Sequence, residues 1–200
     1  MFKKYSNKKK TNIQKKSNKK CISNLEGNTI PNIIFKTRIK DNAVTNGNPF
    51  KWRDVKSKEL FKNKKCVVFS LPGAYTPTCS SKHLPGYDKK YNELKKYVDE
   101  VYCASVNDAF VMYNWGKQLG IKNIKFLPDG SGLFTKKMGA LVKKDNLGFG
   151  KRSWRYSMLV DNGKIIKIFS EPGKKDNCKK DPFKVSDVDT MLNYLQNYSK

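Results

Sequence analysis

A single histidine, His83, stands in this 200-residue chain, and only four of its 42 basic residues are arginine. The cysteines are odd in number and no Cys-x-x-Cys pair occurs, which disfavours a zinc site, so no metal is expected. The same missing pair argues against a thioredoxin- or glutaredoxin-type dithiol. The five cysteines, Cys21, Cys66, Cys79, Cys103 and Cys178, are odd in number, which disfavours the disulfide framework of a small secreted domain. They suit a reducing intracellular compartment and one reactive thiol. No run of 18 apolar residues exists, so no membrane partner or membrane span is expected. Acidic residues are also few, 17, leaving a net charge of +25. Such a charge invites a nucleic-acid partner. Base readers and phosphate clamps favour arginine, however, and here the charge is carried by 38 lysines beside 19 asparagines. No nucleic-acid motif accompanies it, so compositional bias is the reading and no nucleic acid is expected.

Two hundred residues suit one domain with a sizeable core and a tail. Residues 1–28 read as a disordered basic tail, with nine lysines and no acid in the first 24. The segment is basic, acid-poor and serine-containing, as targeting segments are, but lacks arginine and an apolar core of the secretory kind. It points to a plastid or to the cytoplasm, and a chain starting near Asn28 is expected to be as stable and active as the whole. Residues 29–200 form the domain. Within it Ile33-Ile34-Phe35 is a candidate strand, Asn46-Gly47-Asn48-Pro49 a turn, and Val67–Leu71 the first core strand. Val101–Val106 and Ile124–Leu127 are further strands, and Asp108 can cap a helix running to about Lys117. A short helix is expected over Phe134–Leu141. Arg155–Val160 and Ile165–Phe169 should form a hairpin across Asn162-Gly163. Ser186, with Asp189 three residues on, predicts a capping box for a closing helix with Val188, Met191, Leu192 and Leu195 inward. Alternating strands and helices give an α/β layered fold.

The stretch Leu71-Pro72-Gly73-Ala74-Tyr75-Thr76-Pro77-Thr78-Cys79 organises the rest. It follows an apolar run, Cys66–Phe69, of buried-strand type. It precedes Leu84, Tyr87, Tyr91, Leu94 and Val98, which recur at helical spacing, with Pro85-Gly86 set to kink or restart that helix. A strand-to-helix junction presents free backbone N–H groups and the positive end of the helix dipole, surroundings that favour a thiolate, the nucleophilic form. Pro72 and Pro77 stiffen the loop. Thr76, three residues before Cys79, is close enough for its hydroxyl to reach the sulfur or a bound substrate. His83 is four residues after Cys79, on the same side of a regular helix. No third partner of a protease-like triad is recognisable, so a structural hydrogen-bonding role is preferred over a catalytic base.

This pattern, Pro72-x-x-x-Thr76-x-x-Cys79 followed by His83-Leu84-Pro85-Gly86, resembles the peroxiredoxins, in particular the atypical mammalian fifth type and the plant type II enzymes. The resemblance continues through Ser105-Val106-Asn107-Asp108-Ala109-Phe110, Leu127-Pro128-Asp129-Gly130 and Arg155-Tyr156-Ser157-Met158, and covers roughly residues 30–197. It implies a thioredoxin-like fold with a mixed central sheet and flanking helices. It also implies a thiol-dependent peroxidase acting on hydrogen peroxide and small organic hydroperoxides without a cofactor. Cys79 would be the nucleophile, with Pro72, Thr76 and Arg155 around it. On charge alone Arg155 would be a surface arginine at a strand end; the Arg-Tyr-Ser-Met pattern makes it the active-site arginine, with Arg152 the runner-up. For resolving the sulfenic acid, Cys103 lies in an apolar strand and matches the plant subgroup's second cysteine. Cys178 lies in a polar loop among four lysines and approximates the mammalian subgroup's. Neither case is strong, so an external reductant is expected: glutathione with glutaredoxin, or a thioredoxin-type donor. Phe110 and Trp115 are either core or part of a homodimer surface. A peroxide-sensing thiol switch with little turnover is the alternative reading.

Overall fold

The computed structural model describes residues 22–198. A single 3₁₀ turn, Ile22–Leu25, leads into the hairpin of β1 (Ile34–Lys40) and β2 (Phe50–Lys56), paired antiparallel from Ile34↔Lys56 to Lys40↔Phe50. A short α1 (Ser57–Phe61) turns the chain into β3 (Lys65–Leu71). After the Pro72–Thr78 loop the chain winds through one π turn, Cys79–His83, then α2 (Leu84–Lys89) and α3 (Tyr91–Leu94). Next come β4 (Glu100–Ser105), α4 (Ala109–Gln118), β5 (Lys125–Pro128) and α5 (Leu133–Lys137). The small pair β6 (Leu141–Lys143) and β7 (Lys151–Ser153) follows, then β8 (Tyr156–Asp161), β9 (Lys164–Ser170) and α6 (Val188–Tyr198).

The central sheet has the order β5-β4-β3-β8-β9. β3, β4 and β5 run parallel; β8 runs antiparallel to β3, and β9 antiparallel to β8, which makes the sheet mixed. Cys66–Leu71 are all buried, as a strand covered on both faces must be. Side chains alternate between two apolar clusters. Val67, Phe69, Leu71, Val101, Cys103 and Leu159 face α2, α4 and α6, while Cys66, Val68, Tyr102, Met158 and Val160 face Phe61, Phe134 and the N-terminal turn. This is the thioredoxin-like arrangement, a mixed central sheet with flanking helices.

Several expectations hold in detail. Asp108 caps α4, its Oδ1 accepting from the N–H groups of Phe110 and Val111. Asn162 and Gly163 turn β8 into β9 with φ of 45° and 77°, the left-handed pair that a tight hairpin needs. Val188, Met191, Leu192 and Leu195 are buried. The helix after Cys79 restarts, at Leu84, as Pro85 implies.

Other expectations are corrected. The short helix ends at Lys137, because Gly139 turns left-handed (φ 65°) and frees Leu141 to begin β6. Arg155 precedes β8 rather than opening it. The closing helix is capped by Asp187, whose carboxylate accepts from the N–H and hydroxyl of Thr190. Ser186 instead donates its hydroxyl to Glu171 Oε1, which also gathers the N–H groups of Lys184, Val185 and Ser186. The boundary at residue 28 moves as well. Ile22 and Leu25 are 2% and 4% exposed, Gly27 N donates to Ile165 O, and Ile165 N donates to Asn28 O. The domain therefore includes residues 22–28. Residues 1–21, with Cys21 and most of the basic segment, lie outside the described residues.

Candidate active site

Cys79 is fully buried, at 0% exposure, where the loop after β3 enters the π turn. Five contacts fix that loop. Asn107 Oδ1 accepts from Ala74 N at 3.0 Å and from Ser105 Oγ at 2.7 Å, tying the loop to the end of β4. Thr76 Oγ1 donates to Gly73 O at 2.9 Å, and Ser80 N donates to Thr76 O at 3.0 Å. Trp115 Nε1 donates to Ser80 Oγ at 3.1 Å, so the residue after the cysteine is pinned from α4. Pro72 is buried at the exit of β3. Gly73 leaves space for an arginine: a Cβ there would sit 3.0 Å from Arg152 Nη1. Tyr75, exposed and left-handed with φ 64°, lies within the loop.

Arg155 is 1% exposed despite its charge. Its Nη1 points at Cys79 Sγ, 3.5 Å away, and lies 3.2 Å from His83 Nδ1. Its other edge is held from outside: Nη2 donates to both carboxylate oxygens of Asp181 at 2.7 Å, and Nε donates to Pro182 O at 3.1 Å. A buried guanidinium needs such partners. Fixed in this way, it presents a donor and a positive charge to the sulfur. His83, also 1% exposed, makes its second contact through Nε2 to Ser186 O at 3.0 Å. Burial, and then the charge of Arg155, hold its pKa well below the usual histidine value. The ring is hydrogen-bonded at both nitrogens, with Arg155 against Nδ1 and the Ser186 carbonyl against Nε2. Arg152 also borders the site, with Nε on Phe149 O and Nη1 on Val106 O; burial lowers its pKa and the nearby Cys79 charge opposes that.

The structure brings Cys79, Thr76, Pro72, His83, Arg155 and Arg152 together. Cys103 shares the Cys79 side of the sheet, and burial, with a smaller push from Cys79, drives its thiol pKa well above the usual value. Cys66 is core, its thiol pushed up to about 12 by burial. Cys178 is not the exposed loop thiol of the sequence reading. It is 7% exposed and packs into the apolar cluster on the opposite side of the sheet from Cys79. The reason is local: Asp176 Oδ1 accepts from Lys143 N, and Asn177 N donates to Lys143 O, pinning the loop to β6. Trp115 is core, whereas Phe110 is exposed beside Trp52, their rings 5.5 Å apart. Sequence reasoning missed Asp181, Asn107 and Glu171. Each acts on partners distant in the chain, and only Asn107 lay within a stretch already singled out.

A buried thiol at a strand-to-helix junction of a thioredoxin-like sheet, with a clamped guanidinium on its sulfur, defines a thiol-based redox enzyme. The family model for Redoxin matches residues 25–192. A peroxiredoxin of Synechocystis sp. is 57% identical over 168 residues, covering 84% of this chain and 89% of that protein. The crystal structure of the Plasmodium falciparum antioxidant protein, a 1-Cys peroxiredoxin, superposes with a TM-score of 0.79 at 37% identity, covering 86% of this chain and 99% of that one. Reduced Prx3 of Vibrio vulnificus, solved in complex with hydrogen peroxide, gives 0.74 at 37% identity over 85% of this chain and 98% of that one. The chain belongs to the peroxiredoxin family, and it is accordingly a thiol-dependent peroxidase.

Proposed function

We propose that Cys79 is the peroxidatic nucleophile, that hydrogen peroxide and small organic hydroperoxides are its substrates, and that a thiol from outside the chain regenerates it. The observation that carries this reading is the 3.5 Å approach of Arg155 Nη1 to Cys79 Sγ. The sulfur of the thiolate attacks one peroxide oxygen and the O–O bond breaks. The departing oxygen leaves as hydroxide or alkoxide and takes up a proton, and Cys79 becomes a sulfenic acid. Arg155 is a donor aimed at the place where that negative charge develops. The Thr76 hydroxyl has its proton committed to Gly73 O, so it is free to accept a hydrogen bond from the peroxide O–H. Complete burial of Cys79 favours small peroxides.

Resolution from outside is supported by the two internal candidates themselves. Cys103 is held as a buried neutral thiol, and Cys178 belongs to the core on the other side of the sheet. Glutathione followed by glutaredoxin is the preferred route, with a thioredoxin-type donor second. All four described cysteines are free, which suits a reducing compartment, the cytoplasm or a plastid. The exposed aromatic group of Trp52, Phe110 and Tyr113 supports a homodimer, for which sedimentation of Phe110→Lys beside the unaltered chain is the check.

The deciding experiment is non-reducing intact mass with peptide mapping after one equivalent of peroxide, with and without reduced glutathione. A glutathione adduct on Cys79 is expected. A quantitative internal disulfide, lost in Cys103→Ser or Cys178→Ser, would overturn the external route. Many turnovers with an added thiol separate the enzyme from a sensing switch, which stalls after one.

A further inference from the structure

A cavity of about 710 Å³ opens between Pro172, Lys175, Cys178, Lys179, Pro182 and Lys184. The 172–184 segment around it carries five lysines against two aspartates. Among the described residues no carboxylate lies within ion-pair distance of Lys175, Lys179, Lys180 or Lys184. Behind Cys178 a sixth lysine, Lys144, is only 3% exposed. Its Nζ meets the Cys178 carbonyl at a long 3.5 Å and lies 5.6 Å from the centre of the Trp154 ring, with no carboxylate partner among the described residues. Lys144 does not itself line the cavity; its side chain adds positive charge behind the Cys178 backbone. Cys66, Cys79 and Cys103 are fully buried; Cys178, 7% exposed, lines this cavity.

We propose that this cavity docks a disulfide bearing carboxylates, of the oxidised glutathione class, and that Cys178 exchanges with it. The Cys178 sulfur gives up its proton and attacks one sulfur of the bound disulfide. The disulfide bond breaks as the new S–S bond forms, and the departing glutathione thiolate takes the proton. The oxidant is the disulfide itself. The adduct acts on the peroxide site, because the segment that walls the cavity also clamps Arg155: Pro182 borders the cavity and its carbonyl accepts Arg155 Nε, while Asp181 binds Nη2. The external resolution of Cys79 is a separate matter, and the test is run so that the two can fail separately.

Cys79→Ser protein is treated with oxidised glutathione or with the uncharged bis(2-hydroxyethyl) disulfide, at low and raised salt, and followed by intact mass and peptide mapping. One adduct at Cys178 is expected, absent in Cys178→Ser. It should form about tenfold faster from the charged disulfide at low salt, with the advantage reduced by salt and by Lys179→Gln with Lys180→Gln. In the unaltered chain, the fraction mapped as modified at Cys178 alone should react with peroxide roughly tenfold more slowly, as expected for a loosened donor. No adduct, or equal rates for the two disulfides in every salt and lysine background, would overturn the docking site. An adduct with an unchanged peroxide rate would overturn the coupling to Arg155.

Discussion

His83 Nδ1 lies 3.2 Å from Arg155 Nη1 while its Nε2 lies 3.0 Å from the Ser186 carbonyl. A guanidinium only donates and a carbonyl only accepts, so Nδ1 is the acceptor and Nε2 carries the proton. The ring is thus fixed as a neutral tautomer among Phe69, Tyr87 and Phe183, and Arg155 leans on it.

That tautomer makes stability sensitive to acid. The folded-state pKa of His83 is depressed well below its ordinary value of 6.5. Below about pH 6.5 the unfolded chain binds a proton that the folded chain refuses. The His83 contribution is therefore complete above that pH and is lost as pH falls, with a slope approaching about 1.4 kcal/mol per unit. Urea unfolding between about pH 7 and pH 5 measures it. His83→Gln, which cannot titrate, should flatten the slope in this window; identical slopes in the two proteins would show that other groups govern it.

Loss of the clamped donor should slow the reaction with peroxide sharply. Arg155→Met is expected to lower the second-order rate by about 10²–10³-fold. Arg155→Lys should do little better, since an ammonium cannot serve Cys79, His83, Asp181 and Pro182 at once. Asp181→Asn should cost roughly tenfold through misplacement, with Asp181→Glu recovering part of it. Stopped-flow competition for peroxide reads all of these. A larger loss in Arg152→Met than in Arg155→Met would move the role to the other arginine.

At Thr76 the hydroxyl matters more than the shape. Thr76→Ser keeps both the bond to Gly73 O and the free lone pairs, and should stay within a few-fold of the unaltered rate. Thr76→Val loses both and should fall by about 10²-fold. Equal rates for the two variants would remove Thr76 from the peroxide contact.

The N-terminal turn can be tested by truncation. A chain starting at Asn28 loses Ile22 and Leu25, two buried side chains worth about 1.5–3 kcal/mol each. Its melting temperature should fall well below that of a chain starting at Asn18, which should match the whole. Equal melting for both truncations would place the turn outside the cooperative unit.

How much of this could be read in advance depends on whether the cause was local. Cys79 was legible because an apolar run gives way to helical periodicity around it, and Asp108 and Asn162-Gly163 because caps and tight turns are short-range chemistry. Arg155 was placed by its flanking pattern, but its burial was not, since Asp181 lies 26 residues away and only the folded chain brings it near. The position of Cys178 ran against its polar neighbours because its burial comes from pinning to β6. Ser186 fits a capping pattern, yet Glu171, from the end of β9, takes its hydroxyl.

The wide turn at Cys79 has a consequence for sequence length. Leu84 N bonds to Cys79 O, five residues back, where an α-helix would reach back four. The turn holds one residue more than ordinary helix would, and that residue sets the spacing between Cys79 and His83. Deleting any one residue of Ser80–Lys82 would let regular helix run through, with Leu84 N still bonded to Cys79 O. Cys79 and His83, the two neighbours of Arg155 Nη1, would then stand three residues apart instead of four, and the spacing that lets one guanidinium nitrogen meet both would be lost. In this stretch a gap would be more damaging than a substitution.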